Sequence, residues 1–182
     1  MPTGILQEPR QNPQLVACCR EQHNGRTRRA LYNVFLRFEL GVLVACPFFM
    51  PEQPLDGDWP FPQRLPLGAG WSGTCRAAAG SEARPSDQEL RTCCNIGHAK
   101  TCTRLPADRH ADAVRFALGD ERDGKLLVRY ACEREHVPVS HGDLVYEIAG
   151  ATWTVPHPDS CLQRMAECYV EGQMARRRSR EL

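Results

Sequence analysis

From Val114 onward the apolar residues fall on alternate positions: Val114, Phe116 and Leu118, then, across the polar stretch GDERDGK, Leu126, Val128, Tyr130 and Cys132. A period of two marks a strand with one buried face, and two such runs around an Asp-Gly turn predict an antiparallel hairpin. Leu144, Tyr146 and Ile148 repeat the pattern for a third strand, and AGATWTV offers a short fourth. The period then lengthens. In HPDSCLQRMAECYVEGQMARRR, Leu162, Met165 and Tyr169 stand three and four residues apart, the spacing of one helix face. Asp159 or Ser160 supplies the N-cap, and the arginines suit the negative end of the helix dipole.

Upstream the pattern is less regular. Ser86 followed by Glu89 in SDQEL makes a capping box, which predicts a short helix ending near Gly97 with Cys93 and Cys94 in its last turn. Between Cys46 and Ser72 the chain is dense in proline, which argues against a helix or a central strand. Phe48, Phe49, Trp59, Phe61 and Trp71 in that stretch are too much apolar surface for a solvated linker, so it reads as an ordered wrap. Residues 1–43 carry no sustained period apart from a possible short helix over Ala30–Leu43. They read as a disordered or non-native N-terminal extension, with Val42 or Val44 as the alternative start. The expected architecture is α+β. A small antiparallel sheet of three or four strands carries a C-terminal helix packed on it, preceded by a Pro/Cys-rich loop region (46–102) and a short helix, in one small domain over 44–182.

Charge narrows the function classes. A net charge of +1 and a pI near 7.6 give no global signature of nucleic-acid binding, and the basic runs GRTRRALYNVFLR and ARRRSREL read as solvated ends. No apolar run approaches the ~18 residues a membrane helix needs. LVAC at 43–46 resembles a lipoprotein cleavage site. Arg37 and Glu39, however, leave only Leu40–Ala45 uncharged before the cysteine, short of the ~7 to 15 apolar residues of a signal. A cytoplasmic, bacterial-style protein is the expectation, with an unidentified protein as its partner. There is no phosphate loop, dinucleotide fingerprint or G-x-S-x-G elbow, so nothing points to a stand-alone enzyme, and no catalytic residue is assigned.

Ten cysteines are more than packing needs, and in a reducing compartment thiols favour metal or catalysis over bridges. Cys46, Cys75, Cys94 and Cys102 each stand beside a loop signal: Pro47, WSGT, Gly97 and Pro106. Their wide spacing does not match the paired knuckles of zinc modules. An iron–sulfur cluster, expected as 4Fe-4S, accepts thiolates from distant loops. It is therefore the expected cofactor, in a structural, electron-transfer or sensing role, with zinc as the alternative. Cys94, nearer Gly97 than Cys93, is expected to face the loop carrying Cys102. Cys93 and His98 are substitute ligands, and Cys132 with His136 could begin a second zinc site completed by His141 or His157. Against that site, Cys132 continues an inward stripe. Cys161 and Cys168, two turns apart on the terminal helix, are expected in the core. The alternative to a metal protein is a metal-free or zinc-stabilised interaction module whose contact surface is the aromatic wrap or the basic helix end.

Overall fold

The computed structural model describes residues 43–57, 59, 65–77 and 83–179. The expectations for the N-terminal extension and for Phe61 lie outside them. The element order is β1 (Phe49–Pro54), β2 (Trp71–Cys75), α1 (Asp87–Glu89) running into a π turn (Leu90–Cys94), β3 (Ala113–Arg122), β4 (Lys125–Arg134), β5 (Val137–Glu147), β6 (Thr152–Trp153) and α2 (Ser160–Arg178). Strands β1 and β2 form one antiparallel ribbon, and β3-β4-β5-β6 form a meander in sequence order. The protein is thus α+β, with a small antiparallel sheet and a C-terminal helix, as the periodicities predict.

The alternation read from the sequence survives in the packing. Leu126, Val128, Tyr130 and Cys132 are all buried on one face of β4, where they face Val114, Phe116 and Leu118 of β3 and Ser140 to Tyr146 of β5. The turn between β3 and β4 consists of Asp123 and Gly124, both at positive φ. Asp-Gly is a favoured pair for a two-residue hairpin loop with both central residues in the left-handed region.

The Pro-rich stretch is where structure and sequence part. Proline argued against a central strand, and Phe49–Pro54, which contains Pro51 and Pro54, is instead an edge strand within the stretch expected as loop. The reason is topological. A two-stranded ribbon has only edge strands, and the register slips between Pro51 and Gln53, so the missing amides fall where no ladder is interrupted. The aromatic residues are packed inward as the wrap requires: Phe48, Phe49 and Trp71 are buried, and Arg91 lies over the half-buried Trp59 ring at 4.8 Å.

Helix α2 starts at Asp159, whose carboxylate accepts the Cys161 and Leu162 amides at 2.8 and 3.1 Å. Its inner face, including Leu162, Met165, Cys168 and Val170, belongs to the same core as the ribbon and the meander. Arg164 ties it to the ribbon by donating to the Pro51 carbonyl at 3.1 Å and lying over Trp71 at 5.6 Å. Tyr169 stacks on Phe116 of β3, with ring centroids 5.5 Å apart. Farther along, Gly172 meets Gly68 so closely that a Cβ on Gly68 would stand 2.8 Å from the Gly172 Cα.

Candidate metal centre

Four separate segments bring their cysteines to one end of the ribbon. Cys46 follows Ala45, which exchanges hydrogen bonds of 2.8 and 2.9 Å with Val114 at the free edge of β3. This fixes the chain on entry. Cys46 stands three residues before Phe49, and Phe49 pairs with Cys75 at the far end of β2, so the hairpin register itself sets these two thiols at the same end. The Arg76 amide donates to the Phe48 carbonyl at 2.8 Å, closing the ladder around them.

Cys93 and Cys94 arrive on the short helix. Its capping box forms as expected: the Ser86 hydroxyl accepts from the Glu89 amide, and the Glu89 carboxylate accepts from the Ser86 amide at 2.8 Å. The last turn is a π turn, with the Asn95 amide donating to the Leu90 carbonyl at 3.2 Å. Asn95 explains the widening. It is a buried polar residue, and its side-chain amide donates to the Leu90 and Trp71 carbonyls at 3.0 and 2.9 Å while its oxygen accepts the Trp71 amide at 2.9 Å. One side chain thereby satisfies both backbone groups of the first residue of β2 and staples the cysteine turn to the ribbon.

Beyond Asn95 the chain is pinned twice more. The Gly97 amide donates to the Val44 carbonyl at 2.6 Å, and the His98 amide donates to the Asp112 carbonyl at 2.9 Å. Gly97 has no room for a side chain: a Cβ would meet Ala113 Cβ at 2.7 Å and the Ala45 carbonyl at 2.8 Å. The segment after Cys102 is tied back by Arg104, which holds the Glu89 carboxylate through two hydrogen bonds of 2.7 and 3.2 Å. That same contact is what first holds the Glu89 carboxyl low, at about 2. Cys102 is thus tethered to the helix that carries Cys93 and Cys94.

The electrostatics report the convergence. Burial pushes the Cys46 thiol far above its ordinary range, and the neighbouring charges of Cys94, Cys75 and Cys102 push it further. Cys94 is pushed up to about 12, first by burial, then by Cys75, Cys102 and Cys93. Cys102 is raised by burial and by Cys93 and Cys75. Cys46, Cys75, Cys94 and Cys102 therefore form one neighbourhood of free thiols. Cys93, one of the substitute ligands, belongs beside this group. Cys93 does not stand aside, since it lies near enough to Cys102 to help raise that thiol. A π turn has more residues per turn than an α turn, so consecutive side chains diverge less and both cysteines can face the same loop.

The other substitute ligands go elsewhere. His98 sits between two carboxylates, with Nδ1 2.8 Å from Asp112 and Nε2 3.0 Å from Glu133. His136 packs on the His98 ring with centroids 3.9 Å apart. Cys132 is buried in the inward stripe of β4. His157 contacts the Tyr130 hydroxyl at 3.1 Å and accepts the Asp159 amide at 3.0 Å, and His141 is an exposed residue opposite Ala131. These side chains are not gathered as the second zinc site requires. Cys161 and Cys168 are buried as expected, and Cys161 stands near enough to Cys75 and Arg76 to sense both.

Sequence reasoning missed Asn95, the Asp112–His98–Glu133 contact and Arg115, which adds its guanidinium to Glu133 at 3.0 Å through Nε. Asn95 had one available signal, a polar residue directly following the apolar cysteine turn. Among the described residues no three His, Cys, Asp or Glu side chains are gathered closely enough for a single metal ion, and no helix is long and apolar enough to cross a membrane. Comparison with protein-family models, curated proteins and solved structures finds no match to this chain.

Proposed function

We propose that the protein holds an iron–sulfur cluster through Cys46, Cys75, Cys94 and Cys102, with Cys93 beside them, in a structural, electron-transfer or sensing role. The observation that carries this reading is the convergence of these cysteines from four chain segments at one end of the β1–β2 ribbon, each segment anchored by its own hydrogen bonds. A polynuclear cluster holds its thiolates farther apart than a single ion does and can take them from separate chain segments. The wrap is a poor candidate for an interaction surface, because Phe48, Phe49 and Trp71 are already buried in the core.

Purification of the full chain without oxygen tests the proposal. A brown protein with broad absorption near ~400 nm, iron and acid-labile sulfide is the expected result. Stoichiometric zinc in a colourless protein would transfer the same cysteines to the zinc alternative. A folded, colourless protein free of bound metal would overturn both.

A further inference from the structure

The loop that carries Cys102 is closed at its base by one histidine. His98 and Asp112 meet twice: the His98 amide donates to the Asp112 carbonyl at 2.9 Å, and ring Nδ1 stands 2.8 Å from the Asp112 carboxylate. On the other side of the ring, Nε2 stands 3.0 Å from the Glu133 carboxylate of β4, and the Asp112 amide donates to the Glu133 carbonyl at 2.8 Å. Residues 99–111 therefore leave the body of the protein and rejoin it at one point. Asp112 and Glu133 are the two buried carboxylates among the described residues, so the contact is little screened by salt.

The ring contacts impose a proton count. An ionised carboxylate only accepts hydrogen bonds, and a neutral imidazole donates from one nitrogen only. With carboxylate oxygens at hydrogen-bond distance from both nitrogens, both contacts are made only when the ring carries two protons. Each carboxylate also has a guanidinium beside it. Arg115 donates to Glu133 at 3.0 Å, and Arg109 stands 3.7 Å from Asp112, which accepts the Glu135 amide at 3.3 Å as well. The remaining titratable neighbours are His136, its ring centroid 3.9 Å from that of His98, and Lys100 and Glu135, which line the same cleft.

We propose that His98 is a proton-dependent clasp that positions Cys102: with two protons on its ring it holds the loop shut, and loss of one breaks a contact and releases the loop. The sign follows from the contacts. The clasp is complete on the acid side of the imidazole titration and is lost as pH rises through it. Its effect on a bound cluster rests on the metal reading above, whereas the clasp itself does not.

Trypsin tests the clasp on the metal-free full chain, because Lys100, Arg104 and Arg109 all lie in the loop. Cleavage there, relative to a free peptide of the same residues at each pH, should rise about tenfold or more between about pH 6 and about pH 8.5. Glu133→Gln is the discriminating variant. Its side-chain oxygen still accepts from Arg115 while its amide donates to Nε2 of a singly protonated ring, so cleavage should become nearly independent of pH. A wild-type loop equally protected at both pH values, or a variant with the wild-type pH dependence, would overturn the proposal. Ring-nitrogen NMR of the wild type does not require the variant to fold. The loop should open as the His98 ring loses its second proton, and a singly protonated ring in a closed loop would overturn the clasp. In iron-loaded protein at about pH 8.5, release of iron to a chelator should be slower in the variant than in the wild type. Equal release would cut the link between clasp and metal, while a chain that takes up no metal would sink the metal reading and leave the loop results to decide the clasp.

Discussion

At the scale of single residues, Cys46, Cys94 and Cys102 are held in an environment hostile to their charged form. Burial comes first among the causes that raise Cys46 and Cys94, the latter to about 12 against an ordinary 9.0. The metal-free fold therefore keeps these thiols protonated at neutral pH, and loading a metal must release their protons. Metal affinity is expected to rise with pH, checked by loading titrations and proton release at several pH values. The sign reverses for the metal-free protein. A group whose folded pKa is raised stabilises the fold below the unfolded pKa and loses that contribution as pH climbs toward the folded one. Urea midpoints of the metal-free chain should fall as pH rises above 9 toward 12. Substitution separates ligands from core. Cys102→Ser should abolish the bound chromophore, whereas Cys168→Ser, fully buried on α2, should retain it and cost only the ~1 to 3 kcal/mol of a polar atom placed in a core.

Among elements, the π turn and its staple decide whether the cysteine segments meet. Asn95→Ala would leave the Trp71 amide and the Trp71 and Leu90 carbonyls without their side-chain partner. At ~1 to 3 kcal/mol for each buried group left unpaired, the total loss is about 2 to 4 kcal/mol, because not every group stays unpaired after relaxation. The measurement is the urea midpoint of the variant, together with its metal content, which should fall because Cys94 loses its fixed position. Ser86→Ala, at the other end of the same helix, should cost only about 1 kcal/mol. The capping box is exposed, and water replaces what the hydroxyl gives. The two changes lie nine residues apart and differ in burial and in the number of backbone groups left without a partner.

In the whole molecule, the thiols belong to one half of the architecture. Cys46, Cys75, Cys93, Cys94 and Cys102 come from the ribbon, the short helix and the loops beside them, while the β3–β6 meander contributes only Cys132, turned into the core. Stripping a bound metal should therefore loosen these parts unequally. Amide exchange is expected to quicken in β1, β2 and the 90–102 segment, and to change little in β4, whose amides pair on both sides. Uniform loss of protection across both sheets would instead mean that the metal supports the entire fold.

Much of this was legible from the sequence because local backbone preference and side-chain period act over a few residues. The alternation through Val114–Cys132, the Asp123-Gly124 turn, the Ser86–Glu89 capping box and the Asp159 cap each follow from neighbours in the chain. The loop signals beside Cys46, Cys75, Cys94 and Cys102 also suggested which of them could converge. Only the tertiary structure decided the rest. It paired Ala45 with Val114, found an edge ribbon in which Pro51 is harmless, brought Cys93 near Cys102, and gave His98 carboxylate partners 14 and 35 residues away. Such long-range choices carry no local period. They depend on which segments can be packed together at once around a single core, where a polar residue such as Asn95 or His98 takes whatever partner burial places beside it.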